Sequence, residues 1–198
     1  MLSNIFIPPS ILKSFDKNQE SAVSVCKRAK YFGFKKIGYG AYTETYANPN
    51  YSFVIKINLT SDPAAFKFYS MIMNTKSKYF PKVLKLKSYV DLGGNFLFIA
   101  FIEKLYPLNW DTWKKANKDG RGFTNWLAIQ DSYINIRNIT YKKLGKAWES
   151  NNTAEVKIFS SIVSATSEFS ELDLHEDNLM MRLPEGDIIL NDPVAPLI

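Results

Sequence analysis

The 198-residue chain has one cysteine, one histidine, and no apolar run longer than the seven residues from Phe96 to Ile102. Each scarcity excludes something. A single Cys26 forbids an internal disulfide framework. A single His175 forbids a zinc site built from several histidines and cysteines, and makes it the only histidine open to a catalytic triad. A run of seven falls far short of the roughly 20 residues needed to span a bilayer. The N-terminus, Met-Leu-Ser-Asn-Ile-Phe-Ile-Pro-Pro, has no basic start and is interrupted by Pro8 and Pro9, so no signal peptide is expected. Glycine and proline are modest at nine each, and 46% of residues are apolar by type, the composition of a globular chain able to bury a sizeable core. The net charge of +6 favours acidic partners, although a solvated basic surface is the simpler account of it.

Turn residues and apolar periodicity divide the chain. Residues 17–32 read as a helix capped by Asp16 and stopped by Gly33. Strands are expected at Phe34–Ile37, Glu44–Ala47 and Phe53–Ile57, then a helix over Ala64–Met73 opened by Asp62-Pro63. Lys82–Val90 alternates basic and apolar residues as a half-exposed strand would, and Asp91-Leu92-Gly93-Gly94 turns it into a buried strand at Asn95–Ile102. Helices are expected at Trp110–Lys118, over 124–149 and from Thr153 to about Phe169. Two terminal strands, Leu179–Leu183 and Asp187–Leu190, close the pattern. The result is an α+β chain of two lobes.

Four features carry chemistry. Gly38-Tyr39-Gly40-Ala41-Tyr42-Thr43 lies between two strands, where glycines let a backbone approach a phosphate; a plain hairpin explains it as well. Val54-Ile55-Lys56 ends a buried-type run in a cation suited to α- and β-phosphates, or is an edge strand bearing a lysine. Asp173 precedes Asn178 by five residues, a spacing that puts a proton acceptor beside a metal-binding carboxamide. With 10 Asp and 16 Asn, chance alone supplies about 0.8 such pairs, so the spacing says little by itself. Asn191-Asp192-Pro193 follows the last strand, where Asp192 suits Mg²⁺, or is simple turn chemistry.

Taken in order, these features follow the protein-kinase layout. Asp173-Leu174-His175-Glu176-Asp177-Asn178-Leu179-Met180 resembles the catalytic loop of phage and bacterial kinases, and Ile189-Leu190-Asn191-Asp192-Pro193-Val194 resembles the Thr-Asp-Pro-Val ending of one family. That family is the early serine/threonine protein kinase of podophages, which modifies host proteins after infection. The resemblance covers about residues 33 to 195, with a poorly matched middle at 106–160.

The resemblance implies a compact two-lobed protein-kinase-like fold. Residues 1–33 would form an N-terminal extension with a helix. Residues 34–104 would form an N-lobe of antiparallel sheet with one helix, and 105–198 a truncated, mainly helical C-lobe. It implies ATP and Mg²⁺ as cofactors. Gly38, Gly40 and Thr43 would cover the phosphates and Lys56 would pair with them. Glu103 to Leu105 would form the hinge that receives adenine through backbone groups. Asp173 would orient the substrate hydroxyl, and Asn178 and Asp192 would hold the metal. His175 is read as a hydrogen-bonding residue. Expected partners are host protein substrates, with transcription and RNA-processing machinery as candidates, in the cytoplasm of the infected bacterium; no sequence-specific nucleic-acid binding and no membrane association is expected.

Departures from the pattern accompany it. Segment 61–77 contains no Glu to pair with Lys56, leaving Asp62 or Glu44 as substitutes, and the third loop glycine is Thr43. Glu171-Leu172-Asp173 lacks the usual arginine, and six residues follow Asp192, so no activation segment is expected. The alternative is therefore a catalytically weak, kinase-like binding module that inhibits a host or defence factor by occupancy. A small-molecule phosphotransferase is a third option. Lysine clusters at 76–87, 114–121 and 137–146 read as solvated faces or as a docking surface, and the four tryptophans as core.

Overall fold

Short runs of aromatic and β-branched residues, separated by turn chemistry, build a five-stranded antiparallel sheet. The strands are β1 (Lys35–Tyr39), β2 (Thr43–Ala47), β3 (Phe53–Asn58), β4 (Val83–Val90) and β5 (Phe96–Glu103), in the order β1-β2-β3-β5-β4. The computed structural model describes residues 5–40, 42–61, 63–74, 80–107, 170–172, 179–183, 187–191 and 194–196. The chain divides into two units, Met1–Met73 with Lys82–Lys104, and Asn74–Pro81 with Leu105–Ile198. The helices expected at 110–118, 124–149 and 153–169 lie outside the described residues.

In the first unit, the turns show why the strands stop where they do. Asn48 Oδ1 accepts from the Asn50 amide at 2.9 Å, turning β2 into β3. Asp91 Oδ1 accepts from the amides of Gly93 and Asn95, both at 2.8 Å, and Gly94 takes a φ of +83°, which closes the β4–β5 hairpin.

Every residue of β3 is buried, and successive side chains point to opposite faces. Phe53, Ile55 and Ile57 join Tyr46, Leu97, Ile99 and Phe101 in one apolar cluster. Helices α1 (Pro9–Ser14) and α2 (Ala22–Tyr31) cover that face with Ile11, Val25 and Ala29, together with Phe15 just after α1. Helix α3 (Pro63–Ile72) packs on the other face, with the Phe66 ring 5.1 Å from Phe96 and 6.0 Å from Phe98. The N-terminal segment thus carries two helices and supplies much of the sheet's core.

The start of α2 differs from expectation. Residues 17–20 are not helical, and the cap is Ser21, whose Oγ accepts from the Ser24 amide at 3.2 Å. Asp16 instead takes a bond from Lys87 Nζ at 3.3 Å, and the same ammonium donates to the carbonyls of Phe15 and Lys17. One member of the first lysine cluster therefore ties β4 to the end of α1. Helix α1 itself begins at Pro9, a first-turn position where the missing N–H costs no helical bond.

The second unit contains, among its described residues, a three-stranded sheet of β6 (Tyr106–Pro107), β8 (Leu179–Arg182) and β9 (Asp187–Leu190), in the order β6-β8-β9. β7 (Ser170–Leu172) pairs separately with β10 (Val194–Pro196). Met181 and Ile189 are buried, and Arg182 Nη2 donates to the Phe80 carbonyl at 3.0 Å. Among the described residues no helix is long and apolar enough to cross a membrane. The architecture is α+β.

Phe101 touches Phe15 edge-on at 5.6 Å and Phe53 at 5.9 Å, at the centre of the helix-covered face. Phe101→Ala should lower unfolding free energy by about 3–5 kcal/mol. Leu92→Ala, at an exposed turn position, should change it by less than about 0.5 kcal/mol. Urea denaturation of both variants checks this, and similar losses would contradict the assigned core.

Candidate functional site

Lys56 lies on β3, the central strand, and only 6% of it is exposed, so it is not an edge-strand lysine. Its cross-strand neighbours are Thr45 and Ala100, and it shares a sheet face with Val54 and Asn58. Nζ donates to Tyr69 Oη at 2.8 Å, and lies 5.4 Å from the centre of the Tyr69 ring. Tyr69 belongs to α3, is fully buried, and packs against Phe68 at 5.2 Å and Phe98 at 6.0 Å. Among the described residues, a tyrosine of α3 therefore meets the strand lysine. Sequence reasoning missed it because a tyrosine among Phe66, Phe68 and Met71 reads as core.

Glu44, considered above as the lysine's substitute partner, occupies the opposite face. Its register partner is Ile57, and its carboxylate accepts from Lys36 Nζ at 3.0 Å, Tyr46 Oη at 2.5 Å and Cys26 Sγ at 3.5 Å. This corrects the expectation: neighbouring residues on a strand face opposite ways, and Glu44 falls on the side of α2. Asp62 lies outside the described residues. The Tyr46 hydroxyl is the largest influence holding the Glu44 carboxyl below its ordinary range, and Lys36 adds to it. Burial pushes the thiol of Cys26 and the phenol of Tyr46 upward, so Cys26 is a protonated packing residue near neutral pH.

The hairpin of Gly38, Gly40 and Thr43 joins β1 to β2. Gly40 N–H donates to the Thr43 carbonyl at 2.8 Å, and Gly38 stands opposite Thr45. The far end is fastened to β3, since Tyr42 O accepts from the Leu59 amide at 2.8 Å and from Asn58 Nδ2 at 3.3 Å. Neither glycine has a positive φ. A Cβ at Gly38 would meet Thr45 Cβ at 3.9 Å, and one at Gly40 would meet Thr43 Oγ1 at 3.7 Å, both ordinary contacts. The hairpin's own geometry does not demand glycine at either position, which weakens the plain-hairpin explanation.

At the end of β5, Glu103 is buried and its side chain anchors the sheet. Oε1 accepts from the Lys82 amide at 2.8 Å while its own amide donates to the Lys82 carbonyl at 2.9 Å. Its register partner is Phe53, so the carboxylate faces away from Lys56. Lys104 N–H donates to Ser52 O at 2.9 Å. Leu105 is buried and begins the long segment of the second unit.

Asp173, His175, Asn178 and Asp192 lie outside the described residues, but their neighbours do not. Leu172, adjacent to Asp173, pairs with Val194, two residues beyond Asp192. Leu179, adjacent to Asn178, pairs with Leu190, two residues before Asp192. Two antiparallel ladders thus flank, in sequence, the stretches that contain Asp173, Asn178 and Asp192. Sequence reasoning missed β7 and β10 because three residues carry no periodicity. Among the described residues no cluster of three His, Cys, Asp or Glu could hold a metal ion. The chain matches no protein-family model and no curated protein.

Two outcomes follow from this geometry. Gly40→Ala should leave the melting temperature within a degree or two of the parent, because the added methyl meets only ordinary contacts; a large drop would restore the hairpin explanation. Glu44 has a folded pKa below its ordinary 4.5, so its stabilisation is fully present above that value and is lost as pH falls through the folded pKa. Glu44→Gln should therefore be less stable at pH 7 and lose less stability between about pH 5 and pH 3. Parallel denaturation curves at several pH values test the sign.

Proposed function

We propose that the chain is a phosphotransferase of the protein-kinase type, with a two-lobed kinase-like fold, that transfers the γ-phosphoryl group of ATP to serine or threonine hydroxyls of proteins. The observation that carries this reading is the strand register of the second unit. Spacing alone made Asp173 and Asn178 an ordinary coincidence, and Asp192 lies fourteen residues further on. The Leu172–Val194 and Leu179–Leu190 pairings join the chain on both sides of all three. The first unit adds support: a glycine hairpin, a buried lysine on the third strand, then one helix bearing on that lysine.

In this reading Lys56 binds α- and β-phosphate oxygens, and its fit to that role is the chemistry of its donor: a buried ammonium on the same face as Gly38 and Thr45. Gly38, Gly40 and Thr43 cover the phosphates with backbone amides. Glu103 to Leu105 receive adenine through the backbone, since the Glu103 carboxylate is already engaged with Lys82. Asp173 accepts the proton of the attacking hydroxyl, and Asn178 and Asp192 are the metal ligands. Bound Mg²⁺ supplies charge neutralisation across the β- and γ-phosphate oxygens. Such transfer needs positioning and electrostatics rather than covalent participation by the protein. The podophage kinase resemblance supplies the substrate class: host proteins in the cytoplasm of an infected bacterium, with the transcription and RNA-processing machinery as candidates.

One observation favours a second reading. A tyrosine meets Lys56 where kinases place a helix glutamate, as a kinase-like module that binds without transferring could tolerate. Incubation with labelled ATP, Mg²⁺ and bacterial lysate, beside Asp173→Ala and Asp192→Ala, separates the two. Label transfer to lysate proteins that falls at least about a hundredfold in both variants supports the kinase. Absence of transfer by the parent, with both variants still suppressing bacterial growth, supports the binding module.

A further inference from the structure

Helix α3 contains no acidic residue, yet it meets the central-strand lysine at hydrogen-bond distance through Tyr69. An ammonium can only donate, so at 2.8 Å the phenol oxygen accepts. That oxygen is not on a mobile arm. The Tyr69 ring is fully buried and packs against Phe68 and Phe98. The ring face adds a second attraction, with Nζ 5.4 Å from its centre. Two features of one side chain therefore act on the Lys56 amine.

A phenol differs from a carboxylate in a way that bears on ligand binding. A carboxylate holds an ammonium by charge and competes with any anion for it. A neutral hydroxyl directs one N–H while adding no negative charge beside an incoming phosphate oxygen.

We infer that Tyr69 is a positioning residue that holds the Lys56 ammonium for the phosphates of a nucleoside triphosphate, taking the place of the helix carboxylate; this rests on the nucleotide-binding reading above. Tyr69 touches neither the nucleotide nor the reacting atoms in this role and acts through Lys56. A core-packing role alone would make the hydroxyl dispensable.

The test is a double-mutant cycle in the full chain. MgATP affinity is measured by calorimetry for the parent, Tyr69→Phe, Lys56→Met and the double variant. Tyr69→Phe keeps the ring and removes the acceptor, and should weaken MgATP binding by about 5- to 30-fold. Added to Lys56→Met, it should cause no further loss. Unchanged affinity in Tyr69→Phe, or an undiminished loss in the Lys56→Met background, would overturn the inference.

A nucleotide-independent measurement keeps the two readings apart. Lys56 is followed by reductive methylation with ¹³C-formaldehyde, using exposed Lys13 as reference. Loss of the acceptor should raise the relative Lys56 rate at least about threefold in Tyr69→Phe; an equal rate would show that Tyr69 does not hold the amine. A parent that binds no MgATP while Lys56 methylation still responds would remove the nucleotide reading and its phosphate target, leaving a lysine–tyrosine pairing of structural effect only.

Discussion

The burial of β3 on both sides is the constraint from which the first unit follows. A strand flanked by two others and covered above and below has one tolerable register, because a shift of one residue exchanges its faces. Here such a shift would drive the Lys56 ammonium into the apolar cluster around Phe53 and Phe101 and lift Ile55 toward Tyr69. Burying an ammonium among side chains that cannot accept from it costs several kcal/mol. The register of the central strand and the location of the amine are therefore one physical fact.

The remaining polar contacts of the sheet read as responses to that constraint. Glu103 joins the end of β5 to the start of β4, and Lys87 joins β4 to the carbonyls that end α1. Glu44, one residue out of phase with Thr45, serves the helix-covered side through Lys36, Tyr46 and Cys26. Three charged residues that could pass for site chemistry in the sequence are thereby accounted for as structure. Lys56 is engaged too, by Tyr69 of α3, while neither hairpin glycine is demanded by a positive φ or a close contact.

What could be read beforehand was what local physics controls. The β4–β5 hairpin was visible because Asp91 and the two glycines after it are a turn in themselves, and β3 because its run is apolar between clear breaks. The start of α2 was misplaced because Asp16 and Ser21 are both good caps, and only the tertiary bond from Lys87 to Asp16 distinguishes them. Helix α1 was hidden by reading Pro8 and Pro9 as an interruption. The role of Tyr69 was not legible at all, since neither its burial nor its distance from Lys56 is a local property. The same holds for β7 and β10, which exist only as a pairing between segments more than twenty residues apart.

The lysines of the sheet's outer strands have a consequence of a different kind. β1 and β4 are its two margins, each offering backbone groups that another chain could extend. Lys35 lines one margin, and Lys82 and Lys85 lie along or beside the other, all three exposed, whereas Lys36 is paired with Glu44 and Lys87 with Asp16. Like charges brought together at 4.8 Å spacing, about the separation of adjacent strands, repel strongly. Part of the chain's positive charge thereby opposes edge-to-edge pairing of this sheet with another.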